Sequence, residues 1–154
     1  MPTDLWRFAE ELYQRPGVEA ACLQLQEQGA DICLLLCAAW LDRRQAACSD
    51  QRCDVLRSLA RPWQEQVVLP LRQLRQGWRA PAQSDKALAQ LREQVKRLEL
   101  SAERELLQRL AAISQDWPSA AAAERGDWLE QLTPEGASHD ALQVLRVAAA
   151  CMQV

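Results

Sequence analysis

The run Ile-Cys-Leu-Leu-Leu-Cys-Ala-Ala-Trp-Leu, from Ile32 to Leu41, constrains this chain more than any other feature. As a helix it is apolar nearly all the way round, so other elements have to surround it. It is also about half of the ~20 residues that a membrane-spanning helix needs. A buried core helix is the reading that satisfies both conditions. Asp31 precedes it in the position of an N-cap. A central helix over about 31–42 then needs amphipathic neighbours, and the rest of the sequence supplies them.

Leu5, Phe8, Ala9 and Leu12 fall at i, i+3, i+4 and i+7, with Thr3 or Asp4 as N-cap. Pro16-Gly17 breaks the chain, and Val18, Ala21, Cys22 and Leu25 repeat the spacing up to Gly29. After a polar stretch from Asp42 to Gln51, a longer stripe runs through Leu56, Leu59, Ala60, Trp63, Val67, Leu71, Leu74 and Trp78. Pro62 and Pro70 each remove a backbone donor from it, which predicts one kinked helix or two abutting ones. Gly77 and Pro81 end the region.

Ser84-Asp85 opens the longest uninterrupted helical pattern, over about 84–115, closed by Trp117-Pro118. Its seam is Leu88, Leu91, Val95, Leu98, Ala102, Leu106, Leu110 and Ile113. The steps are not those of sustained heptads, so the seam reads as packing within the chain, with a dimer-forming helix pair as the alternative. Two weaker segments follow, around Ala121 to Leu132 and around Ser138 to Met152. Val, Ile, Tyr, Phe and Thr are sparse, leaving little from which to build a sheet. The expected fold is all-α, a compact bundle of about five to seven helices. It forms a single helical domain over 1–154, with C-terminal helices over 119–153 that rest on a weaker pattern.

Hydrophobic residues make up 49% and charged residues 25% of the 154, the balance of a folded globular chain. The N-terminus carries neither a basic region nor a secretory apolar run, so the expected setting is the cytoplasm, away from any membrane. The six cysteines are then free thiols. A net charge of −3 argues against binding polyanions with the whole surface.

The string LWRFAEELYQRPGVEAACLQLQEQGADICLLLCAAWLD, from Leu5 to Asp42, resembles the opening of a family of short, uncharacterised proteobacterial proteins. VVLPLRQLRQGWR, from Val67 to Arg79, and VKRLELSAERELLQRL, from Val95 to Leu110, support the match, which spans a family-like region of about 5–115. The resemblance implies an all-helical bacterial protein and brings no activity, cofactor or catalytic residue. Members tend to carry a glycine shortly after the third helix, where this chain reads DRRQAACSD. That connection is expected to be built differently here. Cys33 stands where the family more often has a polar residue.

Residues that carry chemistry are few. Cys33 and Cys37 lie in the apolar run and read as small hydrophobes. Cys48 and Cys53 flank the polar loop, are expected to be more exposed, and are the candidates for any metal or redox role. His139 lies between Ser138 and Asp140, but adjacent helical residues cannot form a relay with one another, and Ser138 reads as an N-cap. Asp50 and Asp54 have the DxxxD spacing of a magnesium-diphosphate motif without its second acidic partner, and read as a solvated helix start. No phosphate-cradling glycine loop exists. No catalytic, cofactor-binding or metal set is expected, and the chain does not read as an enzyme.

One surface feature rises above this background. Between Arg43 and Arg79 eight arginines stand against three acids. On a single helix, at ~100° per residue, Arg57, Arg61, Arg72, Arg75 and Arg79 fall within an arc of roughly 60°. Trp78 stands beside them, as an aromatic next to Arg does in partner-binding hot spots. Trp6, Trp40 and Trp63 read as core, and Trp78, Trp117 and Trp128 as helix ends tucked onto it or as interface. Three functions follow in order. The first is a helical protein-interaction module, an adaptor or regulator, whose partner presents an acidic surface to the Arg face. The second is nucleic-acid binding through that face, with Trp78 stacking on a base. The third is a small-ligand, metal-binding or redox-responsive protein. A homodimer through the long helix is compatible with the first.

Overall fold

A computed structural model describes residues 5–121 and 126–152. Among these the elements are α1 (Leu5–Tyr13), α2 (Val18–Glu27), α3 (Ile32–Arg43), α4 (Asp50–Trp63), a π-helical turn (Gln64–Val68) and α5 (Leu69–Gly77). A 3₁₀ turn (Pro81–Gln83), α6 (Lys86–Ser114), α7 (Trp128–Leu132) and α8 (His139–Ala150) follow. No strand forms among the described residues; Ala46 and Ser119 make an isolated bridge. Among the described residues no helix is long and apolar enough to cross a membrane. The all-α bundle expected from periodicity is what forms.

The apolar run becomes α3, every residue from Ile32 to Leu41 buried. It touches α1, α2, α4, α6, α7 and α8, which is how a helix without a polar face avoids water. Asp31 caps it, accepting from the Leu34 N–H at 3.2 Å. Asp85 caps α6 through Leu88 N–H at 3.1 Å, and Ser138 caps α8 through Ala141 N–H at 3.1 Å. His139 is thus an exposed first residue of α8. The proposed caps at Thr3 and Asp4 lie outside the described residues. So does part of the segment expected around Ala121 to Leu132. Within the described part of that segment, Ala121, Gly126 and Asp127 are not helical, and the helix starts only at Trp128.

In the connection after α3, Gln45 takes a positive φ of 63°, and Ala46 N–H reaches back to Leu41 O at 3.0 Å. This is the left-handed helix stop that a glycine usually makes; here a residue with a side chain holds the strained position.

Pro62 and Pro70 leave α4 and α5 joined rather than separated. Between them Leu69 N–H bonds to Gln64 O, one residue further back than in an α-helix. Pro70 offers no N–H to Gln66, and a wide π turn is one way a continuous helix accommodates that loss.

The main core draws on α1 to α4, the second half of α6, α7 and α8; from Arg61 to Glu105 it takes in only the partly buried Trp63. The π turn, α5 and the first half of α6 therefore form a helical arm with an interface of its own. Val68, Val95 and Glu99 are buried within it. In the α6 seam, Val95, Ala102, Leu106 and Leu110 face inward, whereas Leu91, Leu98 and Ile113 are exposed. The inward register runs 95, 99, 102, 106, and so carries Glu99 where the sequence reading had placed Leu98.

Candidate partner-binding site

The arginines of the expected face separate into different environments. Arg72 and Arg75 turn inward, their side chains only 13% and 26% exposed. Both meet Glu99: Arg72 Nε donates to Oε2 at 3.2 Å, and Arg75 Nε and Nη2 donate to Oε1 and Oε2 at 2.5 and 3.2 Å. With its amide oxygen turned toward the guanidinium, Gln26 accepts from Arg72 Nε at 2.7 Å and Nη1 at 3.0 Å. Arg92 Nε donates to Arg75 O at 2.8 Å, tying α6 to the backbone of α5. Arg57 donates to Gln131 O and lies 3.6 Å from Asp54. Arg61 and Arg79 are exposed and make no ion pair among the described residues.

The π turn is the reason the single-helix reckoning does not carry across this segment. It shifts the phase of everything beyond it relative to Arg57 and Arg61. Arg57, Arg61 and Arg72 nonetheless line one hollow of about 480 Å³, together with Gln26, Asp31 and Gln64. Arg72 and Arg75 line a second of about 590 Å³ with Lys96, Glu99 and Glu103. The two share Gln26, Leu69 and Arg72, so they form a continuous groove with Arg72 at its midpoint. Neither hollow includes Arg79 or Trp78.

Acids in this groove are held in low-dielectric surroundings. Burial raises the Asp31 carboxyl above its ordinary value, against the Leu34 N–H and the Gln64 amide, which donates to it at 2.6 Å. Burial, and then the charge of Glu99, push Glu103 up to about 7. Burial likewise takes the Tyr13 phenol, on the rim of the second hollow, up to about 12. Glu103 also offers its backbone carbonyl to Cys33 Sγ at 3.7 Å. That contact gives the buried thiol a backbone acceptor.

Other candidates resolve simply. Cys53 is buried, contrary to the expected exposure, and its Sγ lies 3.6 Å from Cys48 Sγ. Asp50 and Asp54 are exposed at the start of α4. No metal-binding group of His, Cys, Asp and Glu is present among the described residues. Trp128 is fully buried, stacked on Trp117 at 5.6 Å, with Nε1–H donating to Ala46 O at 2.9 Å. Arg109 lies over Trp63 at 4.1 Å and Arg104 over Trp6 at 4.9 Å. Sequence reasoning missed Glu99, Gln26 and Gln64. Only Glu99 had a signal, its place in the 95, 99, 102, 106 register.

A compact helical fold with a polar groove and a projecting arm is the class these observations define. The chain belongs to the family described as protein of unknown function DUF2390, whose model matches residues 4–110. No curated protein and no solved structure matches it.

Proposed function

We propose that this chain is a helical interaction module, an adaptor or regulator of the bacterial cytoplasm, which receives an acidic segment of another protein in the groove between α2 and the α4–α5 run. The observation that carries this reading is the alignment of Arg57, Arg61 and Arg72 along one hollow. Arg72 is held in place by Gln26 and Glu99, so it presents its charge at little entropic cost. Arg61 is exposed at the mouth, where a carboxylate would find a bidentate donor. Leu69, Leu132 and Pro134 add apolar contact beside these charges. Asp31 and Glu65 also line the hollow, but Asp31 is occupied as a cap.

A photo-crosslinking residue at Glu65, in the full chain expressed in its own host, tests the reading. The expected result is one protein adduct, mapped to an acidic segment and lost in Arg57→Glu/Arg61→Glu. Arg79→Glu, outside the groove, leaves it intact. No adduct, or one indifferent to both groove arginines, overturns the proposal. An adduct with nucleic acid would transfer it to the second reading of the Arg face.

A further inference from the structure

The side of the arm opposite the groove is apolar and uncovered. Arg75 and Glu99 set the direction in which α5 and α6 face each other. At ~100° per residue, Leu69 and Arg72 on α5 and Lys96 and Glu103 on α6 then fall on the groove side. Leu71, Leu74 and Trp78 share the other side with Leu88, Leu91 and Leu98. Leu74, Leu91 and Leu98 are 43%, 49% and 56% exposed. Exposed leucines gathered on one side of a two-helix arm are costly unless something covers them.

We infer that this side is covered by the same side of a second copy of the chain. The borders of the patch argue for a copy over a different partner. Pro70 and Gly77 on α5, and Ala87, Gln94 and Ser101 on α6, border it, all exposed and uncharged; Glu105, on the same line of α6 as Ala87, is already paired with Arg109. Across a two-fold axis each border meets its own counterpart, so a charge there would face a like charge. A different partner imposes no such restriction, since it can present the opposite sign. In a chain with 25% charged residues, an uncharged border suits self-pairing.

The size of the patch fits a modest, reversible dimer. The α6 part is roughly 27 Å long and the α5 part roughly 15 Å, each ~10 Å across, which gives on the order of 400 Å² per copy. A pair then buries roughly 800 Å², the size of a weak, transient interface. Two such arms laid together make a four-helix arrangement of the ordinary kind. The groove stays open on the outside of it, so this pairing does not depend on the proposed function.

The test is sedimentation velocity on the full chain from low to high micromolar concentration. The expected result is a monomer passing to a dimer. Leu91→Glu/Leu98→Glu, checked for helicity by circular dichroism, stays monomeric throughout. Leu100→Glu, exposed about half a turn away on α6, dimerises like the unaltered chain. A photo-crosslinker at Gln94 in the otherwise unaltered chain gives an adduct of twice the chain mass. A monomer at every concentration, a dimer indifferent to Leu91 and Leu98, or Gln94 adducts with other proteins only would each overturn the inference.

Discussion

Arg75 grips both carboxylate oxygens of Glu99, and Glu99 is at the same time a partner of Arg72. One buried acid from α6 thus pairs with two arginines of α5 and leaves one positive charge in excess. The hydrogen bond to Glu99 raises the Arg75 guanidinium still further above its ordinary value, so its charge is permanent. Removing the acid leaves two partly buried cations side by side without their shared counter-ion. Glu99→Ala should therefore destabilise the chain by about 3 kcal/mol, read from urea denaturation. Glu99→Leu with Arg72→Met and Arg75→Met should recover most of that loss, because the three mutually dependent charges leave together.

The acids Glu103 and Asp42 give stability an unusual pH dependence. Burial raises Glu103 from 4.5 to about 7. It raises Asp42 from 3.8 to about 6, although Asp42 accepts from the Trp128 and Leu129 N–H groups. Between the unfolded and folded values the folded chain holds the extra protons, so stability is present at the acidic end and lost as pH rises through the folded values. The urea midpoint should be higher near pH ~5 than near pH ~8. Glu103→Gln should shrink that difference; an unchanged difference would remove Glu103 as its source.

Gln45 offers a gain rather than a loss. It is exposed and holds φ at 63°. Gln45→Gly should raise stability by about 1 kcal/mol by relieving the left-handed strain, read as an increase in thermal midpoint.

The thiols should react in order of exposure and acidity. Cys151 is exposed, whereas burial pushes Cys22 and Cys37 up to about 12. Burial, with Cys53 beside it, takes half-buried Cys48 to the same value. Maleimide labelling followed by mass spectrometry should modify Cys151 first and Cys48 slowly. Cys22, Cys33, Cys37 and Cys53 should label only on unfolding.

Residues beyond the family match belong to the same core. Trp128, Leu129, Leu132, Leu142, Leu145 and Met152 are buried in it with Leu35 and Leu41. A chain truncated after Gln115 should lose its cooperative unfolding transition, since the α3 surface under α7 and α8 would face water. A sharp transition in the truncated chain would show that the C-terminal helices are dispensable.

Local rules made much of the fold legible. The caps at Asp31, Asp85 and Ser138, the stop at Gly29 and the burial of Ile32 to Leu41 follow from side-chain chemistry within a turn or two of each residue. The same rules could only narrow the outcome where Pro62 and Pro70 occur, because kink, break and π turn all answer the loss of a donor. The helix beginning at Trp128 was blurred for a similar reason: Asp127 caps it, but Asp42, distant in sequence, also binds its first N–H groups.

The candidate site was legible as an arginine set and illegible as an arrangement. Sequence determined that Arg57, Arg61, Arg72 and Arg75 lie in a helical stretch interrupted by prolines, with Arg79 placed just past its end by the structure, and that a long amphipathic helix follows it. Only the tertiary structure decided that Glu99 meets Arg72 and Arg75, that Arg61 and Arg79 remain free of ion pairs among the described residues, and that Leu91 and Leu98 leave the seam. The physical reason is range. Capping and periodicity act within a few residues of backbone, whereas the fate of a charge or an apolar side chain depends on what another helix brings to face it.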